Sequence, residues 1–372
     1  MRVAVLGHIR HAIARPFAGG MEAHCWHLVH ALEARGHEVT LFAAGDSEVE
    51  VALHPVIETH YDREMPWAEW HGTAAFNAFQ DGAFARILPA LEGFDVIHNN
   101  SLHRYPPRLA RRDRLAMVTS LHVPPFAPLD RTVQGAAAPW ALFTTCSERQ
   151  REVWWPEGAP RAAHVVANGI DPAAWPYRER GGAGAVWAGR IAPNKAPHLA
   201  IAAAKRAGMA LTLFGAVEDR SYYEDRVRPC LGGNIRHAGH LSGAALAAEM
   251  GRGDVLLFTP DWDEPFGLAA VEGMACGLPV AATDMGATRE VVGEAGRLAP
   301  RGDAAALARA LRAAMEIPRP VPRARVERLF TLERMVAGYE DLYGRAMAGR
   351  DAPAPGIAFS DIELPARRRL PA

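Results

Sequence analysis

Short apolar runs alternate with longer stretches of helical periodicity along nearly the whole chain. Arg2–Gly7, Glu38–Ala43, Asp95–His98, Ala116–Leu121, Ala141–Cys146 and His164–Ala167 read as strands, being brief, rich in strand-forming residues and bounded by polar, Gly or Pro positions. Between the first two, Met21, Cys25, Leu28, Val29 and Leu32 recur at i, i+4, i+7, i+8 and i+11, and Gly36 supplies a helix stop. Strand, loop, helix, strand is the unit of a parallel sheet with crossover helices. A polar, Gly-rich stretch from Arg178 to Gly184 reads as a linker, after which the pattern restarts. Strands are then predicted near Ala185–Gly189, Ala210–Gly215, Asn234–His237, Asp254–Thr259 and Pro279–Thr283. No repeat of 20 to 50 residues is present, which excludes a solenoid.

The 372 residues suit two α/β domains of about 150 residues each, and two domains imply a cleft. Residues 1–172 form the first expected domain and 180–331 the second. The segment 351–372 turns to Pro, Ala and Arg without periodicity and reads as a mobile tail. Charge is balanced, with 41 Lys+Arg against 42 Asp+Glu, so no global field draws in nucleic acid. Four cysteines stand far apart with no Cys-x-x-Cys pair, which suggests neither a zinc site nor a disulfide framework. No apolar run approaches the ~20 residues of a membrane span. A soluble, cytoplasmic protein with reduced thiols is expected.

Three segments carry candidate chemistry. Gly19-Gly20-Met21-Glu22 precedes the first helix, where adjacent glycines admit a phosphate to the helix N-terminus or simply form a flexible capping loop. Gly189-Arg190-Ile191-Ala192-Pro193-Asn194-Lys195 follows a strand and puts two cations at a carboxyl-end loop, either as phosphate ligands or as surface charges. The 41 basic residues include only two lysines, Lys195 and Lys205, so a lysine here answers a geometric need. Glu264-Pro265-Phe266-Gly267 leads into Glu272, Gly277 and Pro279, which bracket a helix from about Phe266 to Cys276. Along such a helix the two carboxylates would stand ~12 Å apart. That is wider than the ~5 to 9.5 Å of a glycoside-hydrolase pair. They suit spaced contacts along an extended ligand, or an exposed Glu and a helix Glu paired with an Arg.

His24, His27 and His30 fan over the polar side of the first helix and read as solvated rather than as a metal site. His122 follows a strand and is either a cleft residue or a packing residue. Tyr61, Trp67, Trp70, Phe76 and Phe79 form a stacking platform or a core cluster. Arg104, Arg108, Arg111, Arg112 and Arg114 form a solvated face, with weak contact to a membrane surface as the other reading.

Together these motifs, in this order, resemble the retaining glycosyltransferase family 4 of GT-B fold over roughly residues 1 to 347. Arg35-Gly36-His37-Glu38-Val39, Val166-Ala167-Asn168-Gly169-Ile170-Asp171 and the stretch from Gly286 to Glu290 belong to the same resemblance. Ala167 departs from it, since a proline usually precedes Asn-Gly there. The resemblance implies two Rossmann-like domains with parallel sheets facing across a cleft, the first on the acceptor side and the second holding a nucleotide-sugar donor. It implies that a last helix, 332–347, packs back on the first domain. Arg190 and Lys195 would hold the donor diphosphate, Glu272 the ribose hydroxyls and Glu264 a sugar hydroxyl. The Phe266 and Gly267 amides and His122 would lie beside the sugar, with Gly19 and Gly20 lining the diphosphate. The implied activity is hexosyl transfer from a nucleotide sugar, expected to be a UDP-sugar, to an unidentified glycan, lipid-linked or small-molecule acceptor. No metal or other cofactor is expected. The alternatives are an epimerase of GT-B architecture and a sugar-nucleotide-binding protein without turnover. A nicotinamide dehydrogenase is disfavoured because the full glycine fingerprint and the acid after the second strand are missing.

Overall fold

The computed structural model describes residues 1–353 and contains two compact units. Unit 1 comprises Met1–Cys146, Arg151–Val166 and the chain from Val336 on; unit 2 comprises Ser147–Gln150 and Ala167–Met335. Most of the segment expected to be a tail, from residue 354 onward, lies outside the described residues.

Unit 1 is built on β1 (Arg2–Leu6), β2 (Glu38–Ala44), β3 (Ala52–Ile57), β4 (Val96–Asn99), β5 (Met117–Leu121), β6 (Ala141–Thr145) and β7 (Ala163–Val165). All pair in parallel, in the order β3-β2-β1-β4-β5-β6-β7. Unit 2 contains β8 (Ala185–Ala188), β9 (Leu211–Phe214), β10 (Ile235–His237), β11 (Val255–Phe258), β12 (Val280–Thr283) and β13 (Gly296–Ala299), parallel in the order β10-β9-β8-β11-β12-β13. Strands β4, β5, β6, β8, β9, β11 and β12 are buried at every position because helices cover both faces of the sheets. The two strands that the pattern did not predict lie at sheet edges. β3 carries His54 and Pro55 with half of its positions exposed, and β13 is the short run Gly-Arg-Leu-Ala.

In both sheets the strand order reverses beside the first strand of the unit, at β1/β4 and at β8/β11. Loops leaving the carboxyl ends of those strands part there and open a crevice, the usual ligand site of an open α/β sheet. The stretch 178–184 lies within unit 2, where the Gly182 and Gly184 amides donate to Asp254 at 2.7 and 2.9 Å. Three fully buried tryptophans stiffen the units, each with its indole N–H bonded: Trp140 to Ala110 O, Trp154 to Val123 O and Trp187 to Thr259 Oγ1.

The C-terminal helix Leu332–Gly349 gives its residues from Val336 on to unit 1. Glu340 accepts from Arg35 at 2.9 and 2.7 Å and lies 2.8 Å from His37 Nε2. Beneath it the His98 ring is fully buried, with Nδ1 2.6 Å from Tyr343 Oη and Nε2 2.9 Å from Ser120 Oγ. Ser120 Oγ lies in turn 2.8 Å from Thr144 Oγ1. A run of hydrogen bonds thus ties this helix to the middle of the sheet. Burial and the nearby His122 push His98 down to about 3, so it folds neutral. His122 is likewise pushed down by burial, to about 4.

Because these histidines protonate near 6.5 when unfolded, the unfolded chain binds more protons than the folded one below that pH. Stability is therefore full above about pH 6.5 and falls towards pH 4, by up to about 1.4 kcal/mol per pH unit for each such histidine. Thermal melts between pH 8 and 4 should show this loss, and His98→Gln, though less stable, should show a shallower slope across the same window. A melting temperature flat from pH 7 to 4.5 would contradict it.

Candidate active site

In unit 2 the loop after β8 turns through Pro193–Lys195 into the helix Pro197–Ala207, with Ala196 at φ 43°. That turn is joined to the loop after β11. Thr259 Oγ1 donates to the carbonyls of Lys195 and Ala196 at 2.9 and 3.1 Å, and the Asp261 amide donates to Asn194 O at 2.8 Å. The loop after β12 supports it, since Thr283 Oγ1 donates to Pro260 O and the Ala287 amide donates to Glu264 O, at 2.7 and 2.8 Å. Gly286 has φ +57°, and a Cβ there would sit 2.2 Å from Glu264 N, so the Glu264 backbone is seated against a glycine for want of room.

These anchors bring Lys195 and Glu264 together across the β8/β11 reversal. Lys195 Nζ lies 2.5 Å from Glu264 Oε2, and the two side chains are 20% and 8% exposed. Trp262 Nε1 donates to the same oxygen at 2.7 Å, and the ammonium stands 5.1 Å from the indole ring centroid. Arg190, half exposed, pairs with Glu218 from the loop after β9. Both cations that the motifs suggest as phosphate ligands are thus paired with carboxylates. Neither Glu218 nor Trp262 was visible as a partner in the sequence, because both contacts depend on loop geometry rather than on a periodic pattern.

Glu264 is not on a helix. The helix is Leu268–Ala275, with Gly267 as its N-cap at φ +96°, so the ~12 Å separation of two helical carboxylates does not apply. A Cβ on Gly267 would lie 2.6 Å from Phe258 Cζ, and this close approach delays the helix beyond Phe266. Phe266 is buried against Phe330 with ring centroids 5.5 Å apart. Glu272 lies in the second turn of the helix, only partly accessible, with no hydrogen-bond or ion-pair partner among the described residues. The arginine partner expected as one reading of this residue is absent there. Burial without a cation pushes its carboxyl up to about 7.

In unit 1, Gly19 is the extended N-cap of α1 (Gly20–Ala34), and its first turn holds the buried carboxylate of Glu22. Glu22 Oε1 is 3.0 Å from His8 Nε2; burial raises this carboxyl, but the contact with His8 outweighs that and holds it below its ordinary value. His122 Nε2 lies 2.7 Å from Asn100 Oδ1, and its ring packs edge-on against His24 at 4.4 Å. His24 is therefore buried rather than solvated, and burial with the neighbouring histidines lowers it well below 6.5. Counting histidine as polar hid this. His30 stacks on Trp26 and pairs with Glu50. Among the described residues no group of three or more His, Cys, Asp or Glu is arranged to hold a metal ion.

The aromatic platform divides. Tyr61 and Phe76 are core, Phe79 packs against them, and Trp67 and Trp70 alone of the five are exposed. Most of the five arginines from Arg104 to Arg114 have internal partners: Arg104 on Asp81, Arg108 on Thr132, and Arg111 and Arg114 over Trp140. No helix among the described residues is long and apolar enough to cross a membrane.

Comparison with known proteins agrees with this architecture. The profile described as Glycosyl transferases group 1 matches residues 183–328, and that of Glycosyltransferase Family 4 matches 18–174. The chain is similar to the glycogen synthase of Mycobacterium tuberculosis, at 29% identity over 94% of this chain and 96% of that one. It is also similar to the phosphatidyl-myo-inositol mannosyltransferase of Mycobacterium leprae, at 28% identity over 79% and 83%. Among solved structures, the Anabaena protein HepE in complex with UDP-glucose superposes with a TM-score of 0.69 at 16% identity, over 92% of this chain and 99% of that one. With both profiles matched and both parallel sheets in place, the chain belongs to glycosyltransferase family 4 and is a glycosyltransferase of GT-B fold.

Proposed function

We propose that this glycosyltransferase is a retaining enzyme that draws its sugar from a UDP-sugar and works without a divalent ion. The observation that carries the reading is the Lys195–Glu264 pair at the strand-order reversal of unit 2, with Glu272 left unpartnered nearby in sequence on the following helix. Breaking a bond between sugar and diphosphate concentrates negative charge on the departing diphosphate, and fixed cations stabilise that charge. Lys195 would supply it as a point charge and Arg190 as a planar fork, each leaving its carboxylate for phosphate oxygens. Glu264 would then accept a hydrogen bond from a sugar hydroxyl, and Glu272 would accept from the ribose diol. The Phe266 and Gly267 amides lie at the helix start, where backbone N–H groups lack partners within the helix. UDP-glucose is the ligand named for HepE, which supports a uridine donor. His122, neutral and set by Asn100, and the Gly19-Gly20 turn remain candidates for sugar and phosphate contact in unit 1. The acceptor is assigned to unit 1 on the family resemblance.

Steady-state kinetics on three variants test the roles. Glu264→Gln and Lys195→Ala should each lower kcat on the order of 10²-fold, since positioning and charge stabilisation act at the transition state. Glu272→Gln should act mainly on KM, because a ribose contact changes little as the bond breaks. Near-normal kcat in the first two, in variants that still melt cooperatively, would sink the assignment. Exhaustive chelation should leave transfer intact; activity lost with EDTA and restored by magnesium or manganese would show that a metal takes part.

Glu272 gives a pH signature. With its carboxyl at about 7, it is largely protonated at pH 6 in the free enzyme, whereas ribose hydroxyls donate to the ionised form. UDP-glucose binding should therefore release up to about one proton below pH 7, and affinity should weaken as pH falls, by at most about tenfold per unit. Calorimetry in buffers of different ionisation heat reads the release directly. The same release in Glu272→Gln would place the titrating group elsewhere.

A further inference from the structure

Trp262 is two residues from Glu264 and touches both members of the central ion pair. Its indole N–H donates to Glu264 Oε2 at 2.7 Å, and its ring lies 5.1 Å from the Lys195 ammonium. We infer that Trp262 is a positioning residue, whose indole N–H fixes the Glu264 carboxylate so that Oε1 is the oxygen offered to the donor sugar. The inference rests on the role proposed above for Glu264.

The geometry is selective between the two oxygens. Lys195 Nζ and Trp262 Nε1 both converge on Oε2, at 2.5 and 2.7 Å, while Oε1 has no hydrogen-bond partner among the described residues. A carboxylate carries about four acceptor sites, so two donors on one oxygen leave the other with its full capacity. The Glu264 backbone is held by Ala287 and Gly286, but nothing else among the described residues bonds its side chain. Of the two donors, the lysine is the mobile one, a flexible four-carbon stem with a compact charge. When that ammonium turns to the donor diphosphate, the indole N–H is what still holds Glu264, a carboxylate only 6% exposed as a residue and costly to leave without a partner. Trp262 therefore lets Lys195 change partners without freeing Glu264 to rotate.

The test separates this role from packing and from failure of the underlying reading. In ¹⁵N-labelled enzyme without ligand, the Trp262 indole N–H resonance, assigned by its loss in Trp262→Phe, should lie downfield and move upfield in Glu264→Gln. Kinetics then use whichever of UDP-glucose, UDP-N-acetylglucosamine and GDP-mannose the enzyme consumes. Trp262→Phe should lower kcat by roughly 10- to 100-fold, the loss of one hydrogen bond to a charged group, with KM changed by less than about threefold. Trp262→His, which keeps a ring N–H, should recover part of that loss. In the Glu264→Gln background, Trp262→Phe should cost little more, because the two act as a unit. A Trp262→Phe kcat within about twofold of the parent overturns the inference, as does a full multiplicative loss on Glu264→Gln or an indole resonance indifferent to Glu264→Gln. If Glu264→Gln itself turns over normally, the role of Glu264 fails as well. If Glu264→Gln is impaired and Trp262→Phe is not, only the role of Trp262 fails.

Discussion

A parallel sheet sends every loop that follows a strand to one edge, and where the strand order reverses two of those loops must part. In unit 2 they are the loops after β8 and β11, and the residues brought together across the reversal are Lys195 and Glu264. An ion pair this little exposed is stable only if its geometry is held from outside, since removing both charges from water costs several kcal/mol per ion before their attraction is counted. The surrounding hydrogen bonds supply that hold. Thr259 and Asp261 fix the lysine turn, Thr283 fixes the start of the glutamate loop, and Gly286 with Ala287 seats the Glu264 backbone. These residues come from the ends of β8, β11 and β12, so the site needs all three strands in place.

The sheet of unit 1 ends in different chemistry. β1, β4 and β5 run out into His8, Asn100 and His122, and burial keeps His122, with His24 and His98 nearby, neutral at pH 7. A buried carboxylate there, Glu22, has His8 beside it. Neutral donors and acceptors suit hydroxyl groups, whereas the cations of unit 2 suit a diphosphate. The same α/β unit, used twice, thus carries a charged edge in one copy and a mostly neutral polar edge in the other.

Much of this was legible in the sequence where glycine, proline and apolar periodicity leave few options. The central strands, the first helix and the Glu264-Pro265-Phe266-Gly267 segment were all found from such signals. The helix starts at Leu268 rather than at Phe266 because the left-handed Gly267 and its contact with Phe258, not Pro265, set its first turn. β3 and β13 escaped notice because edge strands need not be apolar on both faces. His24 was misplaced because a histidine counts as polar in a periodicity yet folds neutral beside His122. Glu218 and Trp262 could not be found this way at all. Their partners are set by where loops fold back, and no spacing along the chain records that.

If the proposed roles hold, the two cation pairs differ in what they would demand of an arriving diphosphate. Arg190 and Glu218 are 50% and 42% exposed, and a pair so open to water contributes at most about 1 kcal/mol, so phosphate oxygens can replace Glu218 at little cost. Lys195 and Glu264 are largely shielded, and taking the lysine from an otherwise unpartnered buried carboxylate would cost about 3 to 5 kcal/mol. A second fixed donor on the same oxygen reduces that cost, and a sugar hydroxyl donating to Oε1 reduces it further. A bare phosphate supplies the replacement for Glu264 at Lys195 but nothing for Glu264 itself. On the proposed function, a ligand that brings both a diphosphate and a hydroxyl-bearing sugar would satisfy both members of the broken pair. The pairing would then itself favour nucleotide sugars over nucleotides alone.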